Sequence, residues 1–178
     1  MGIGADCEAV RDALLAQPAN TVSSLAYLVA AASLVLTRRR AGRQAHGLVA
    51  AVVFVGIGSA AFHGDGGTAA RLLHDGAVAL LVLTGGITVA REWRPRNLRP
   101  DAVDAVGLAA LVGGVVVYLR SRTGGPWCDP DALLQGHALW HVATAVALAA
   151  LGRARPSGRG PRWPGRREGR SGPAGRRP

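Results

Sequence analysis

The sequence predicts an all-α, polytopic transmembrane helix bundle of about five spans, with the N-terminus outside and the C-terminus inside. Three observations carry that reading. Of 178 residues, 49% are apolar and only 4% aromatic. Five separate stretches approach the roughly 20 apolar residues needed to cross about 30 Å of hydrocarbon. So many spans in so short a chain leave too little polar surface for a soluble fold. The charge is also segregated. The chain has 21 arginines, no lysine and 11 acidic residues, a formal charge of +10. Residues 1–152 hold twelve of the arginines against ten acids, and the last 26 residues hold nine against Glu168 alone. A nearly neutral body excludes a nucleic-acid-binding domain spread over the chain. The lysine-free, Ala/Gly/Arg/Pro-rich composition fits codon bias from a GC-rich genome.

The first stretch, about 20–37, runs NTVSSLAYLVAAASLVLT without a charge. The second (45–63) and fourth (102–119) are rich in Ala, Gly and Val and close to the minimum length. The third covers 69–90. The fifth, 131–152, lacks a formal charge but carries two histidines. Arg38, Arg39, Arg40 and Arg43 follow the first stretch, and Arg91, Arg94, Arg96 and Arg99 follow the third. With the nine of the C-terminal segment, one side collects seventeen arginines. The other side has only Arg11, Arg71, Arg120 and Arg122. The positive-inside rule places the arginine-rich side in the cytoplasm. No basic n-region or cleavage pattern precedes the first stretch, so a removed signal peptide is not expected.

Residues 1–152 thus read as the transmembrane domain. Residues 153–178, rich in Arg, Pro and Gly, read as a disordered cytoplasmic tail that anchors topology and touches anionic lipid headgroups. The expected location is a bacterial-type plasma membrane. Glycines inside the stretches (Gly56, Gly58, Gly85, Gly86, Gly113, Gly114) suit close helix packing. Five spans can close a bundle alone or as a homo-oligomer.

Polar side chains inside spans are costly and usually face a bundle interior. Here they gather toward the outer side. Ser59 and His63 are four residues apart at the outer end of the second span, so they share a helical face. His74 and Asp75 follow in the outer half of the third span. His137 and His141, again four apart, enter the fifth span from outside, two to three turns below its start. A histidine pair at i, i+4 plus one histidine from another helix suits a tetrahedral zinc ion with an open fourth position. Water at that position becomes acidic enough to act as a nucleophile near neutral pH. Asp75 is then the candidate general base or orienter of that water, and Ser59 a donor to the developing oxyanion. The alternatives are plainer. The histidines could be interhelical hydrogen-bonding groups, Ser59 could bond back to its own helix, and Asp75 could pair with Arg71 one turn earlier. His46 lies at the inner end and cannot join the group.

These residues resemble the alkaline ceramidases, within the superfamily of seven-span membrane hydrolases that includes the adiponectin-receptor-like proteins. Cys7-Glu8 resembles the family's Cys-Glu near the N-terminus, and Asn20-Thr21-x-Ser23 resembles its Asn-Thr-x-Ser. Gly58-Ser59-Ala60-Ala61-Phe62-His63 looks like its Gly-Ser-x-x-Phe-His, Asp75 answers to its third-span aspartate, and His137-Ala138-Leu139-Trp140-His141 resembles its His-x-x-Trp-His. The resemblance implies a zinc-dependent amidase that cleaves ceramide, a lipid substrate met within the bilayer. It implies zinc on His63, His137 and His141, with Ser59 and Asp75 as catalytic groups. It also implies a Cys7–Cys128 disulfide on the outer side, in an oxidising compartment, with two free thiols as the alternative.

The chain departs from the family in three ways. The family has seven spans and five are counted here. Its animal members bind calcium through N-terminal acids, of which Glu8 matches one. Gln17 stands where another is expected, which argues against a calcium site. Asp75 falls in His-Asp-Gly and Ser24 stands where the family often has Asn. Two other functions stay open: a non-catalytic metal- or lipid-binding membrane sensor or accessory protein, and a serine intramembrane protease using Ser59.

Overall fold

The computed structural model describes residues 2–3, 5–38, 43–92 and 101–153. The expectations for the tail from residue 154 onward, and for most of the arginine-rich loops, lie outside the described residues. A short antiparallel pair, β1 (Gly2–Ile3) and β2 (Ala9–Val10), opens the chain. Helices α1 (Pro18–Ser23), α2 (Ala26–Arg38), α3 (Arg43–Asp65), α4 (Thr68–Glu92), α5 (Ala102–Ser121) and α6 (Gly136–Leu151) follow. The segments Pro18–Thr37, His46–Gly64, Thr68–Ala90 and Ala102–Ser121 are each long and apolar enough to cross a membrane. This is the all-α bundle expected of a membrane protein.

Two elements differ from expectation. The first span is interrupted at Ser24 and Leu25. The hydroxyls of Ser23 and Ser24 both donate to the carbonyl of Asn20, at 3.0 and 2.8 Å. Such back-bonding competes with the helical ladder, and Leu25 instead donates to Val22 one residue early. The fifth span, expected from residue 131, becomes helical only at Gly136 and has 16 residues. Before it, Gln135 Nε2 contacts the carbonyl oxygens of Asp129, Pro130 and Ala132 at 2.8–3.1 Å, holding the chain in an irregular loop.

The helices form an open arc. α4 packs on α3 and α5 on α6, while α2 bridges α3 and α6 and α1 touches both. Among the described residues there is no extensive packing between α4 and α5. The core is Tyr27, Ala30, Ala31 and Leu34 of α2 against Leu48, Val52 and Val55 of α3, with Ala77 and Ala145 closing its edges. In lipid, apolar helices gain little by leaving their solvent, so close approach at small residues matters more. A Cβ on Gly107 or Gly114 would come within 2.8 Å of Ala150 or 2.9 Å of Ala143, which fixes the α5–α6 contact. On Gly58 a Cβ would meet the His74 backbone at 3.0 Å. Packing does not account for Gly85, Gly86 or Gly113, which have open space around them.

At the end opposite the histidines, Arg153 ties α6 to α5. Its Nη2 lies 2.6 Å from both carboxylate oxygens of Asp101, and its Nη1 is 2.9 Å from Asp104 and bonds the Ala150 carbonyl. Asp101 also caps α5, accepting from the N–H groups of Val103 and Asp104. The Asp104 N–H, then the Arg153 guanidinium, hold the Asp101 carboxyl below its ordinary value. Because the folded value lies below the unfolded one, this stabilisation is full above about pH 4. It is lost as pH falls through the depressed folded value. Asp101→Asn should therefore lower the thermal midpoint in detergent at pH 7, and the gap from the parent protein should close below pH 4.

Candidate metal centre

The centre is built where α3 ends and α6 begins. His63 sits near the C-terminus of α3, and His137 and His141 occupy the first and second turns of α6. The late start of α6 places the pair at the mouth of its helix rather than two to three turns inside a longer one. All three side chains are buried, His63 at 1% exposure and His141 at 2%. Ring centroids lie 4.5 Å apart for His137–His141, 5.1 Å for His63–His137 and 5.3 Å for His63–His141. One ring nitrogen from each lies within 4.8 Å of the other two. A tetrahedral ion with bonds of about 2.0–2.1 Å sets nitrogens about 3.4 Å apart, inside that envelope. The three histidines could therefore hold one metal ion.

The hydrogen bonds around the rings fit that use. His63 Nδ1 lies 2.7 Å from Gln17 Oε1. The Gln17 amide is oriented by its own Nε2 donating to the Glu8 carbonyl at 3.1 Å. An amide oxygen only accepts, so Nδ1 carries the proton and Nε2 keeps its lone pair. That Nε2 is buried and has no hydrogen-bond partner. His141 Nδ1 lies 2.9 Å from Ser23 Oγ. The single Ser23 proton goes to Asn20, so the hydroxyl accepts from Nδ1–H and His141 Nε2 is left unprotonated, able to accept from Ser59 Oγ. Two rings thus present unprotonated nitrogens, the form a metal needs. Ser59 Oγ is 3.3 Å from His141 Nε2 and 2.9 Å from Ser24 Oγ, as its shared face with His63 requires.

Asp75 does not join them. Its side chain is 61% exposed and contacts Arg71 at 3.8 Å and His74 at 3.0 Å. The reason is angular. His74 faces the bundle and stacks on Phe62 at 5.3 Å, and the next residue on a helix points about 100° away. The carboxylate that does reach the centre is Asp6, with Oδ1 3.3 Å from His137 Nδ1 and Oδ2 4.0 Å from His63 Nδ1. Burial pushes its carboxyl above the ordinary value, against the pull of His63, His74 and Arg122. Sequence reasoning missed Asp6, Gln17 as a bonding partner, and the hydroxyl of Ser24. The signal for Asp6 was its place beside Cys7, whose disulfide to Cys128 is present and carries the segment over the start of α6.

Glu8 acts as a cap. It is 2% exposed, and its two oxygens accept from the N–H groups of Ala19 and Asn20 at 2.8 and 2.9 Å, in the first turn of α1. Unsatisfied helical N–H groups and the helix dipole both favour a carboxylate there. Each oxygen accepts one backbone N–H, the work of a helix cap.

Ser59, His74, His137 and His141 open onto an apolar cavity of about 580 Å³. It runs along the inner faces of α4 and α6, past Gly85 and Thr144, as far as Leu151. His137 to Leu151 spans about 21 Å of helix. Neither a family model, a curated protein nor a solved structure matches the chain. The ceramidase resemblance therefore rests on its short motifs.

Glu8→Ala should cost about 1–2 kcal/mol by removing the α1 cap. Thermal unfolding should show the same loss with and without added calcium; a loss seen only with calcium would make Glu8 a ligand.

Proposed function

We propose that the protein is a zinc-dependent intramembrane hydrolase that cleaves the amide bond of a ceramide-like lipid. The observation that carries this reading is three buried histidines, two held in the metal-ready tautomer, of which His137 and His141 open onto a long apolar cavity. His63, His137 and His141 would hold the ion. A bound zinc ion supplies Lewis-acid polarisation and an acidic water at neutral pH.

The chain's own groups have separable tasks. Gln17 and Ser23 keep two rings aimed by accepting their Nδ1 protons. Ser59, next to His141 Nε2, can donate its proton to an amide carbonyl oxygen as negative charge develops there. The apolar walls along α4 and α6 bind the hydrocarbon part of the lipid. The weakly packed side between α4 and α5 lets such a molecule enter sideways from the bilayer.

The orientation proposed from the arginines agrees with the chemistry of the cysteines. The disulfide lies at the histidine end, and disulfides persist where the surroundings are oxidising. That end faces the outside, and the opposite end, where the arginine-rich loops join, faces the cytoplasm.

The open side also favours a second reading, a metal- or lipid-binding sensor without turnover, because an open arc of helices leaves part of the cavity unwalled. One experiment separates the two. Protein purified in detergent should carry about one zinc per chain and release fatty acid from N-acyl sphingosine. His63→Ala and His137→Ala should each lose the zinc and reduce hydrolysis at least about 100-fold. Zinc retained at one per chain with no hydrolysis of any lipid amide would leave the sensor reading standing.

A further inference from the structure

We propose that Asp6 is the carboxylate that positions His137 for metal binding, and that the Cys7–Cys128 disulfide delivers it there. This rests on the reading of the three histidines as a metal centre. The N-terminal segment already supplies the acceptors for the other two rings, Gln17 for His63 and Ser23 for His141. His137 is the remaining ring. Its Nδ1 is buried and lacks a hydrogen bond, yet Asp6 Oδ1 stands 3.3 Å from it. A small rotation of the ring or carboxylate completes the bond. It would give His137 the same tautomer as its two neighbours and free Nε2. Carboxylates that orient a metal-bound histidine in this way typically contribute 10- to 100-fold in metal affinity.

Asp6 is held at that point from both sides. Thr123 N–H donates to the carbonyl of Ala5 at 3.2 Å, and Cys7 N–H donates to Thr123 Oγ1 at 3.1 Å. Cys7 itself has a φ of +71°, a left-handed conformation that non-glycine residues adopt only when surrounding contacts impose it. The disulfide to Cys128 and the neighbouring Ala9 N–H bond to Pro130 are those contacts. Asp75, expected to act on the metal-bound water, instead contacts Arg71 and His74 away from the three histidines.

The test uses the full chain in detergent micelles, with zinc affinity measured by competition against a chromophoric chelator. Asp6→Ala should weaken zinc 10- to 100-fold. Asp6→Asn keeps an acceptor oxygen and should fall between Asp6→Ala and the parent. Asp75→Asn should match the parent. The imidazole ¹⁵N shifts of zinc-free protein supply a second readout, in which Asp6→Ala alone should redistribute the tautomers of His137. If Asp6→Ala unfolds, the Asp6→Asn affinity and the shifts decide. Parental zinc affinity in both Asp6 variants would overturn the proposal, as would an equal loss in Asp75→Asn. Absence of zinc binding in the parent protein, unchanged by His63→Ala, would instead overturn the metal reading itself and this inference with it.

Discussion

One covalent link organises the histidine end of the molecule. Cys7 and Cys128 are 121 residues apart in sequence, and joining them straps residues 5–17 across the ends of α3 and α6. The strap is then stitched down by backbone bonds: Ala9 to Pro130, Ala16 to Gly64 and Gln17 to His63. Three side chains on the strap face inward, and each has its own job. Asp6 faces His137 and His63, Glu8 caps α1, and Gln17 fixes the His63 ring. Removing the link would free the segment that supplies all three. Cross-linking a loop this long restricts the unfolded chain by up to about 4–5 kcal/mol in the entropic model. The positional effect on the rings is separate from that stabilisation.

Burying three imidazoles together is unfavourable unless their nitrogens find partners. The bundle supplies acceptors for two of the rings, Gln17 for His63 and Ser23 for His141, and leaves His137 Nδ1 without a hydrogen bond. The unpartnered His63 Nε2 is the visible remainder. A group of histidines kept only to join helices would direct its nitrogens at one another or at the backbone. Here the Nδ1 contacts point outward, toward Gln17, Ser23 and Asp6, while His63 Nε2 and His141 Nε2 are left on the other side of their rings.

Ser59, His63, His137 and His141 are legible from sequence because a period of four on a helix is a local property. Depth is nearly as easy, since the running direction of each span sets it. Azimuth is harder. His74 and Asp75 share a depth, but only one of them can face the bundle, and the choice depends on how α4 is rotated against α3 at Gly58. The four membrane-length segments, Pro18–Thr37, His46–Gly64, Thr68–Ala90 and Ala102–Ser121, follow directly from apolar length. The start of α6 does not, because Gln135 and the proline-containing turn before it override an apolar run. Asp6 was hidden for another reason: nothing between residues 1 and 17 is periodic. Its place is set by a bond to a loop more than a hundred residues away.

The shortness of α6 has a consequence for the membrane around it. Sixteen residues span about 24 Å, less than the roughly 30 Å hydrocarbon thickness of an average bilayer. The lipid must thin beside α6, or the loop before it must sink toward the acyl region. Irregular backbone is tolerated at such a depth only if its carbonyls are satisfied by the protein, which is the service Gln135 performs for Asp129, Pro130 and Ala132. The same loop bears Cys128, and through it the strap that meets the histidines.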